Sequence, residues 1–295
     1  ALLEKIRCPA CNSKKSKEYS VINHFKLVVC DKCSLIYVNP RPKLESQLDF
    51  FSRSKAMDMY SRMVNKTRNY RQQLIFNPLV DFIFDKIGDK KNKLLEIGCG
   101  PGLFLDAMKK RKSKYILSGL DINPEATKIC QKKGYDVHCG SIENYRRNDK
   151  VDIIVFWAVL DHFSDPLKVL KKCNNLIKKN GTVIIGNLNI EGFESIILGK
   201  NNTGVYVVPE RQNFFGIQSI KYLLNRSGFK KVNTFTTGKL DVKYVKDFWE
   251  KNPDISRDSF LNKIIYGKEE LQENFQKFLI QNNLSSHMTT IARKT

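Results

Sequence analysis

No stretch of the 295 residues approaches the ~18 consecutive apolar residues that a membrane-spanning helix requires, so a helical span is not expected. The first residues, Ala1 to Arg7, lack the long apolar stretch of a signal peptide, which predicts a soluble, cytoplasmic chain. There is no internal repeat and no low-complexity linker, so solenoids and tethered arrays are excluded. Acid is in short supply, with 30 Asp+Glu against 51 Lys+Arg and a formal net charge of +21. Such a surplus points first to nucleic acid or an acidic surface. Yet only 13 of those 51 cations are arginine, so the guanidinium fork that reads base edges is scarce. The basicity reads better as solvated surface, or as attraction for a phosphorylated small substrate, and a nucleic-acid partner is disfavoured. What is present is a 41% hydrophobic chain, long enough for one large domain or one large plus one small.

Eight cysteines divide unevenly along this chain. Cys8-Pro9-Ala10-Cys11 and Cys30-Asp31-Lys32-Cys33 form two CxxC pairs separated by eighteen residues, whereas Cys99, Cys130, Cys139 and Cys173 are scattered. Two-residue spacing lets both thiolates of a knuckle turn toward one tetrahedral ion, and the paired knuckles predict a four-thiolate Zn²⁺ site. With all four positions filled by Cys, no open position remains for water, so the metal is expected to be a structural staple. The segment needs one, because it holds too little apolar material for a core of its own. The scattered thiols read as reduced cysteines of a reducing compartment.

We divide the chain into a zinc ribbon over 1–42, a helical linker and cofactor lid over 43–90, and a main domain over 91–295 with a helical insertion at 239–284. In the linker, apolar residues such as Leu48, Phe51, Met59 and Met63 recur at spacings of three and four. From Lys93 onward, short apolar strands alternate with amphipathic helices, the pattern of a parallel sheet covered on both faces. Strands are predicted at 93–97, 115–120, 135–138, 151–156, 181–187, 230–236 and 288–293, and helices at 102–111, 124–133, 166–178 and 217–227. Asp165-Pro166 is a helix start, and Gly134, Gly181 and Gly228 are helix ends. In the insertion, Phe248, Trp249, Phe260, Phe275 and Phe278 form an aromatic stripe that suits a core or a homodimer contact.

The chemistry concentrates at the first strand-to-helix turn, Leu94-Leu95-Glu96-Ile97-Gly98-Cys99-Gly100-Pro101-Gly102. Its glycines follow GxGxG rather than the dinucleotide fingerprint GxGxxG, and they let the backbone bend sharply and approach a ligand closely. Asp121 ends the next strand in Gly119-Leu120-Asp121-Ile122, where a carboxylate can accept both hydroxyls of a ribose.

On these motifs, residues 93–187 resemble class I S-adenosylmethionine-dependent methyltransferases, an α/β fold with a doubly wound, Rossmann-like, seven-stranded sheet. The resemblance implies cofactor contacts from Glu96, Gly98, Gly100, Gly102, Asp121 and Ile122. It also implies contacts from Ser141 and Ile142 in Gly140-Ser141-Ile142-Glu143, where the family usually carries Asp at the position of Ser141, and from Trp157 at the end of the fourth strand. A ribbon ending in VNPRP, with PERQNFF and LLNRSGF behind the core, resembles a bacterial subgroup tied to sugar methylation. The implied acceptor is a small molecule, a hydroxyl of a sugar or nucleotide-sugar in surface-glycan synthesis.

An acceptor hydroxyl gains from a base near neutrality, which points to histidine. Of the four, His162 alone falls at the C-terminal edge of a central strand beside the glycine turn. His162 is therefore the candidate base or acceptor-orienting residue, with Asp161 as its hydrogen-bonding partner. The loop carrying Tyr206, Glu210, Arg211 and Asn213 follows the fifth strand on the same sheet edge and is expected to close over the acceptor. The alternative is an RNA methyltransferase whose ribbon and lysines grip phosphate, against which the stretch AVLDHFSDP lacks an Asn/Asp-Pro-Pro-aromatic sequence. A non-catalytic cofactor-binding or ribbon module is a third possibility.

Overall fold

A computed structural model describes residues 3–89, 93–111, 114–202 and 204–295. The boundary drawn between 90 and 91 lies outside the described residues. The N-terminal segment carries β1 (Leu3–Glu4), β2 (Ser16–Ile22), β3 (Phe25–Cys30), β4 (Ile36–Val38) and β5 (Arg41–Pro42). Helices α1 (Leu44–Arg53), α2 (Lys55–Lys66) and α3 (Arg68–Arg71) follow, and a π turn at Gln72–Phe76 leads into α4 (Asn77–Ile87). The main domain then alternates: β6 (Lys93–Ile97), α5 (Leu103–Arg111), β7 (Ile116–Asp121), α6 (Pro124–Lys132), β8 (Asp136–Cys139), β9 (Val151–Trp157), α7 (Pro166–Leu176) and β10 (Ile177–Leu188). Its last part comprises α8 (Phe193–Leu198), β11 (Asn213–Phe214), α9 (Ile217–Arg226), β12 (Phe229–Thr236), α10 (Asp241–Lys251), α11 (Ser259–Ile265), α12 (Glu269–Gln281) and β13 (His287–Lys294).

Seven strands form one sheet in the order β12-β13-β10-β9-β6-β7-β8. β6, β7, β8, β9 and β10 pair in parallel, and β13 runs antiparallel between β10 and β12. The alternating pattern predicts a parallel sheet, and β13 departs from it for a topological reason. It follows its neighbour β12 directly in the chain, and adjacent antiparallel strands need no crossover helix. The helices α10 to α12 are therefore an expansion of a hairpin connection. They bury Trp249, Val245, Ile265 and Leu279 against Phe193 of α8, while Phe260 and Phe278 of the aromatic stripe stay exposed.

Local chemistry sets the helix ends. The Asn123 side chain accepts from Ala126 N at 2.8 Å ahead of Pro124, and the Asp165 side chain accepts from Lys168 N at 2.9 Å ahead of Pro166, so both helices start with satisfied amides. Alternate residues of the central strands divide between two cores. Leu95, Ile154, Phe156 and Ile185 face α7 and α9, and Leu94, Ile153, Val155 and Ile184 face α4 and α5.

The first of these cores continues without a break into Cys8, Cys11, Cys30 and Cys33. The ribbon strands also form a four-stranded sheet in the order β11-β4-β3-β2, in which β11 comes from the far side of the chain. Asn213 pairs with Tyr37 and Phe214 with Ile36. Ribbon and main domain thus share a sheet as well as a core.

Candidate active site

The order of the sheet reverses between β6 and β9, and a cavity of about 550 Å³ opens at the carboxyl ends of these strands. This is where doubly wound sheets hold ligands, and the volume suits a small-molecule site.

On one side lies the glycine turn. Gly98 and Gly100 adopt φ +69° and +51°, left-handed values that a side chain would strain. Gly100 N donates to Asp121 Oδ2 at 2.7 Å and Asn123 N to Oδ1 at 2.8 Å, so two backbone donors aim the carboxylate. Each oxygen keeps a lone pair for a further donor from the cavity. Burial raises the Asp121 carboxyl, and the amides of Asn123 and Gly100 oppose that rise. Glu96 is buried at 3% exposure, lines the same wall and leaves Oε2 without a partner. Burial, and after it the charges of Cys130, Asp121 and Asp106, push its carboxyl well above the usual range.

Ser141 and Ile142 line the wall beyond β8, where Ser141 Oγ and Glu143 Oε2 also lack partners. Trp157 lines it from the end of β9, its ring lying over Gly186, where a Cβ would stand 2.0 Å from Cε3. Three orphaned polar atoms and an aimed carboxylate on one wall suit a ligand rich in hydroxyls and amine, as the ribose and amino-acid ends of S-adenosylmethionine are.

The opposite side is built around a 3-10 turn at Leu160–His162. His162 Nδ1 lies 2.9 Å from the carbonyl oxygen of Glu210. A carbonyl only accepts, so Nδ1 donates, and Nε2 is the ring nitrogen left to accept a proton. The ring lines the cavity and packs edge-on to Phe51, with centroids 5.3 Å apart. Leu44, Leu48, Phe50, Phe51 and Val207 line the same cavity, with Glu210 and Arg211 among its polar residues.

Several expected residues stand elsewhere. Asp161 is buried and does not line the cavity; its Oδ2 lies 2.9 Å from Arg211 Nε, so it pairs with the loop rather than with His162. Arg211 is further tied to the Gly204 and Val205 carbonyls, so its cation is largely spent on the fold. Tyr206 does not line the cavity. Its side chain sits in the core between ribbon and loop, hydrogen-bonded to Tyr19 at 3.0 Å, because the ribbon strands cover that face. Asn213 is buried in β11 with Nδ2 donating to Phe163 O at 2.7 Å, and it does not line the cavity. Gly102 is also absent from the wall; its φ of +80° and the Cys130 sulfur 2.8 Å from a Cβ make it a packing glycine.

The lid adds residues to the cavity that were not among the expected site residues, although Tyr60 and Arg71 stand on helices expected to fold over the cofactor. Gln47, Phe50, Phe51, Tyr60, Arg71 and Phe76 all line the cavity. Helical spacing marked this segment as amphipathic but could not separate a face turned to a neighbour from one turned to a ligand.

The four cysteine sulfurs lie within 4.8 Å of one another, with Cys11 and Cys30 at 3.3 Å and Cys8 and Cys33 at 3.5 Å. Tetrahedral thiolates at ~2.3 Å from zinc stand about 3.8 Å apart, so the cluster fits that ion. The hydrogen bond with Cys33, followed by burial, raises the Cys8 thiol, and burial first of all pushes Cys11 up to about 11. A divalent cation would relieve that crowding and release the protons.

Sheet order, glycine turn and aimed carboxylate together define the class: an S-adenosylmethionine-dependent methyltransferase of class I. Residues 67–234, more than half of the chain, match the family described as methyltransferase domain, and the chain belongs to that family. It is similar to the ubiquinone biosynthesis O-methyltransferase of Actinobacillus pleuropneumoniae serotype 5b, at 27% identity over 141 residues, 42% of this chain and 59% of that protein. The protein of the same name from Vibrio vulnificus is 27% identical over 168 residues, 53% of this chain and 70% of that protein. The chain thus spans about three fifths of the first of these relatives. Among solved structures, an S-adenosylmethionine-dependent methyltransferase from Archaeoglobus fulgidus shares the fold at a TM-score of 0.53 and 19% identity, over 77% of this chain and 97% of that one.

Proposed function

We propose that this enzyme methylates a hydroxyl of a small, largely apolar acceptor, with His162 as the base. The observation that carries the reading is the 2.9 Å contact of His162 Nδ1 with the Glu210 carbonyl, which leaves Nε2 as the ring nitrogen able to accept, in a side chain that lines the same cavity as the glycine turn. When bound, S-adenosylmethionine supplies a methyl on a sulfonium for in-line displacement. Asp121 and the Gly98–Gly100 backbone hold the ribose and amino-acid ends, Glu96 favours the cationic end, and Arg71 faces the cavity from the lid. His162 Nε2 takes the proton of the acceptor hydroxyl as the oxygen attacks. The lid residues Phe50, Phe51 and Phe76 exclude water from the reacting atoms.

A nucleotide-sugar, the acceptor implied by the subgroup resemblance, carries a diphosphate that needs an uncommitted cation. Of the two arginines that line the cavity, Arg211 already serves Asp161 and Arg71 donates Nε to Thr67 Oγ1 at 3.0 Å, whereas Leu44, Leu48, Phe50, Phe51 and Val207 give the wall apolar surface. That wall favours a ring hydroxyl, and the names of the curated relatives support a hydroxyl acceptor. The cysteine cluster is assigned to one structural Zn²⁺.

The test is release of S-adenosylhomocysteine from purified protein given catechol, UDP-glucose or bulk RNA in separate reactions. Turnover with the phenol, lowered roughly 10²- to 10⁴-fold by His162→Ala at unchanged cofactor affinity, is the expected result. Turnover confined to UDP-glucose or to RNA would overturn the apolar acceptor. A fully active His162→Ala would overturn the base.

A further inference from the structure

We propose that the cysteine ribbon is a working part of the active site: through Arg41 and Asn213 it holds in place the turn that carries His162. The inference rests on the reading of His162 as base.

Four successive carbonyls of that turn are each capped by a donor from another part of the chain. Asp161 O accepts from Gln212 N at 3.0 Å and from Asn213 Nδ2 at 3.4 Å. His162 O accepts from Gln47 Nε2. Phe163 O accepts from Asn213 Nδ2 at 2.7 Å, and Ser164 O accepts from Arg41 Nη1. None of these donors belongs to β9 or α7, the elements that flank the turn. A short turn at the rim of a wet cavity has no fixed shape of its own, and these caps supply one.

Three of the donors, Gln212, Asn213 and Arg41, lead to the ribbon. Gln212 and Asn213 are held by β4, through the pairing of Asn213 with Tyr37 and through Val38 N donating to Gln212 O at 3.0 Å. β4 itself begins three residues after Cys33, and Cys30 N donates to Leu35 O at 2.9 Å across the knuckle. Arg41 is buried at 9% exposure and anchored to Glu4 at 3.1 Å, where β5 pairs with β1. Hydrogen bonds joined by short stretches of backbone therefore run from the cysteine cluster to the carbonyls of Asp161 and Phe163, on either side of His162. The Glu210 carbonyl that sets the ring tautomer sits on the same strap, two residues before Gln212. Arg41 and Asn213 touch neither cavity nor reacting atoms, so they are positioning residues. Since a base misplaced by about 1 Å can cost 10²-fold in rate, such bracing bears on catalysis without touching the cofactor.

The experiment uses the full chain with ring-¹⁵N histidine. The sequence has only four histidines, and His162→Ala identifies the His162 pair of ring signals. In the wild type bound to S-adenosylhomocysteine, Nδ1 is expected as the protonated nitrogen and Nε2 as the bare one. In Asn213→Ala and in Arg41→Ala this separation is expected to collapse toward an exchanging mixture, while S-adenosylhomocysteine affinity by calorimetry stays within about twofold. Arg41→Lys is expected to restore part of the separation, because it keeps a buried donor for Ser164 O. Cys33→Ser is expected to reproduce the Asn213→Ala spectrum. An unchanged His162 spectrum in both Arg41→Ala and Asn213→Ala would overturn the proposal, as would a loss of cofactor affinity that parallels the spectral change. If the spectra change as expected but His162→Ala retains turnover, the base reading falls and the brace stands.

Discussion

Gly100→Ala separates ligand contact from protein packing at the cofactor turn. At Gly100 no protein atom lies within 4 Å of the place a Cβ would occupy, and that open space belongs to the cavity. The protein itself therefore pays only for a left-handed backbone at φ +51°, about 1–2 kcal/mol, partly offset by the reduced freedom of the unfolded chain. A net cost near 1 kcal/mol lowers Tm by roughly 2–4 °C in a chain of this size. A cofactor lying against the turn meets the added methyl instead, and overpacking of that kind costs about 1–3 kcal/mol. Binding of S-adenosylhomocysteine is then expected to weaken roughly 5- to 150-fold by calorimetry. Gly98→Ala is the contrast: a Cβ there meets Val159 Cγ2 at 2.6 Å at φ +69°, so stability falls as well as affinity. Gly102→Ala meets Cys130 Sγ at 2.8 Å away from the cavity, so stability is the main loss. Wild-type affinity in a folded Gly100→Ala would refute the placement of the cofactor on this turn.

Three further outcomes are expected. Asp121→Ala strips Gly100 N and Asn123 N of their acceptor and removes the ribose contact, and calorimetry is expected to show cofactor affinity lower by about 1.5–3 kcal/mol. Metal analysis of undenatured protein is expected to find one zinc per chain, lost in Cys30→Ser, and protein isolated without zinc would remove the assignment. Burial, and after it the charge of Asp241, push Glu194 up to about 8 from an ordinary 4.5, so the folded state keeps a proton that the unfolded chain has released. Its contribution is complete below about pH 4.5 and is lost as pH rises through about 8, on the order of 5 kcal/mol at most, and urea unfolding of Glu194→Gln is expected to show a flatter pH dependence, whereas parallel curves would refute the shift.

The strands of the main sheet were legible because each is a short apolar run with both faces covered. The one expected at 93–97 is Lys93–Ile97, and that at 151–156 extends one residue to Trp157. The strand expected from 181 starts at Ile177, since the chain enters the sheet early and a register shift before Thr182 absorbs the Lys178–Gly181 stretch. That same early entry ends α7 at Leu176 rather than 178. The direction of β13 was not legible, because alternation reports a strand and not its sense. Nor was the pairing of β4 with β11, two segments of three and two residues from opposite ends of the sequence with no local pattern to join them. Tyr206 and Asn213 were misplaced for that reason: both point toward partners that only this pairing brings near.

The two sides of the cavity differ in construction, and the difference sets what each can vary. The cofactor side comes from Glu96 to Glu143, successive strand ends of a parallel sheet, where one glycine turn and one carboxylate aim each other through a single hydrogen bond. Every part of that arrangement is local, so it survives changes in the rest of the chain and reads directly from sequence. The acceptor side joins α1, the His162 turn and the Val207–Arg211 strap, three segments that meet only because α1 and the ribbon bridge them. Changing the acceptor then requires no change to the cofactor turn. Substitutions at Leu44, Leu48, Phe50 or Val207 reshape the apolar wall while Gln47 and Arg41 keep the base in register. We propose on this basis that selectivity for the acceptor resides in the face of α1 together with Val207, and catalytic geometry in the braces behind them.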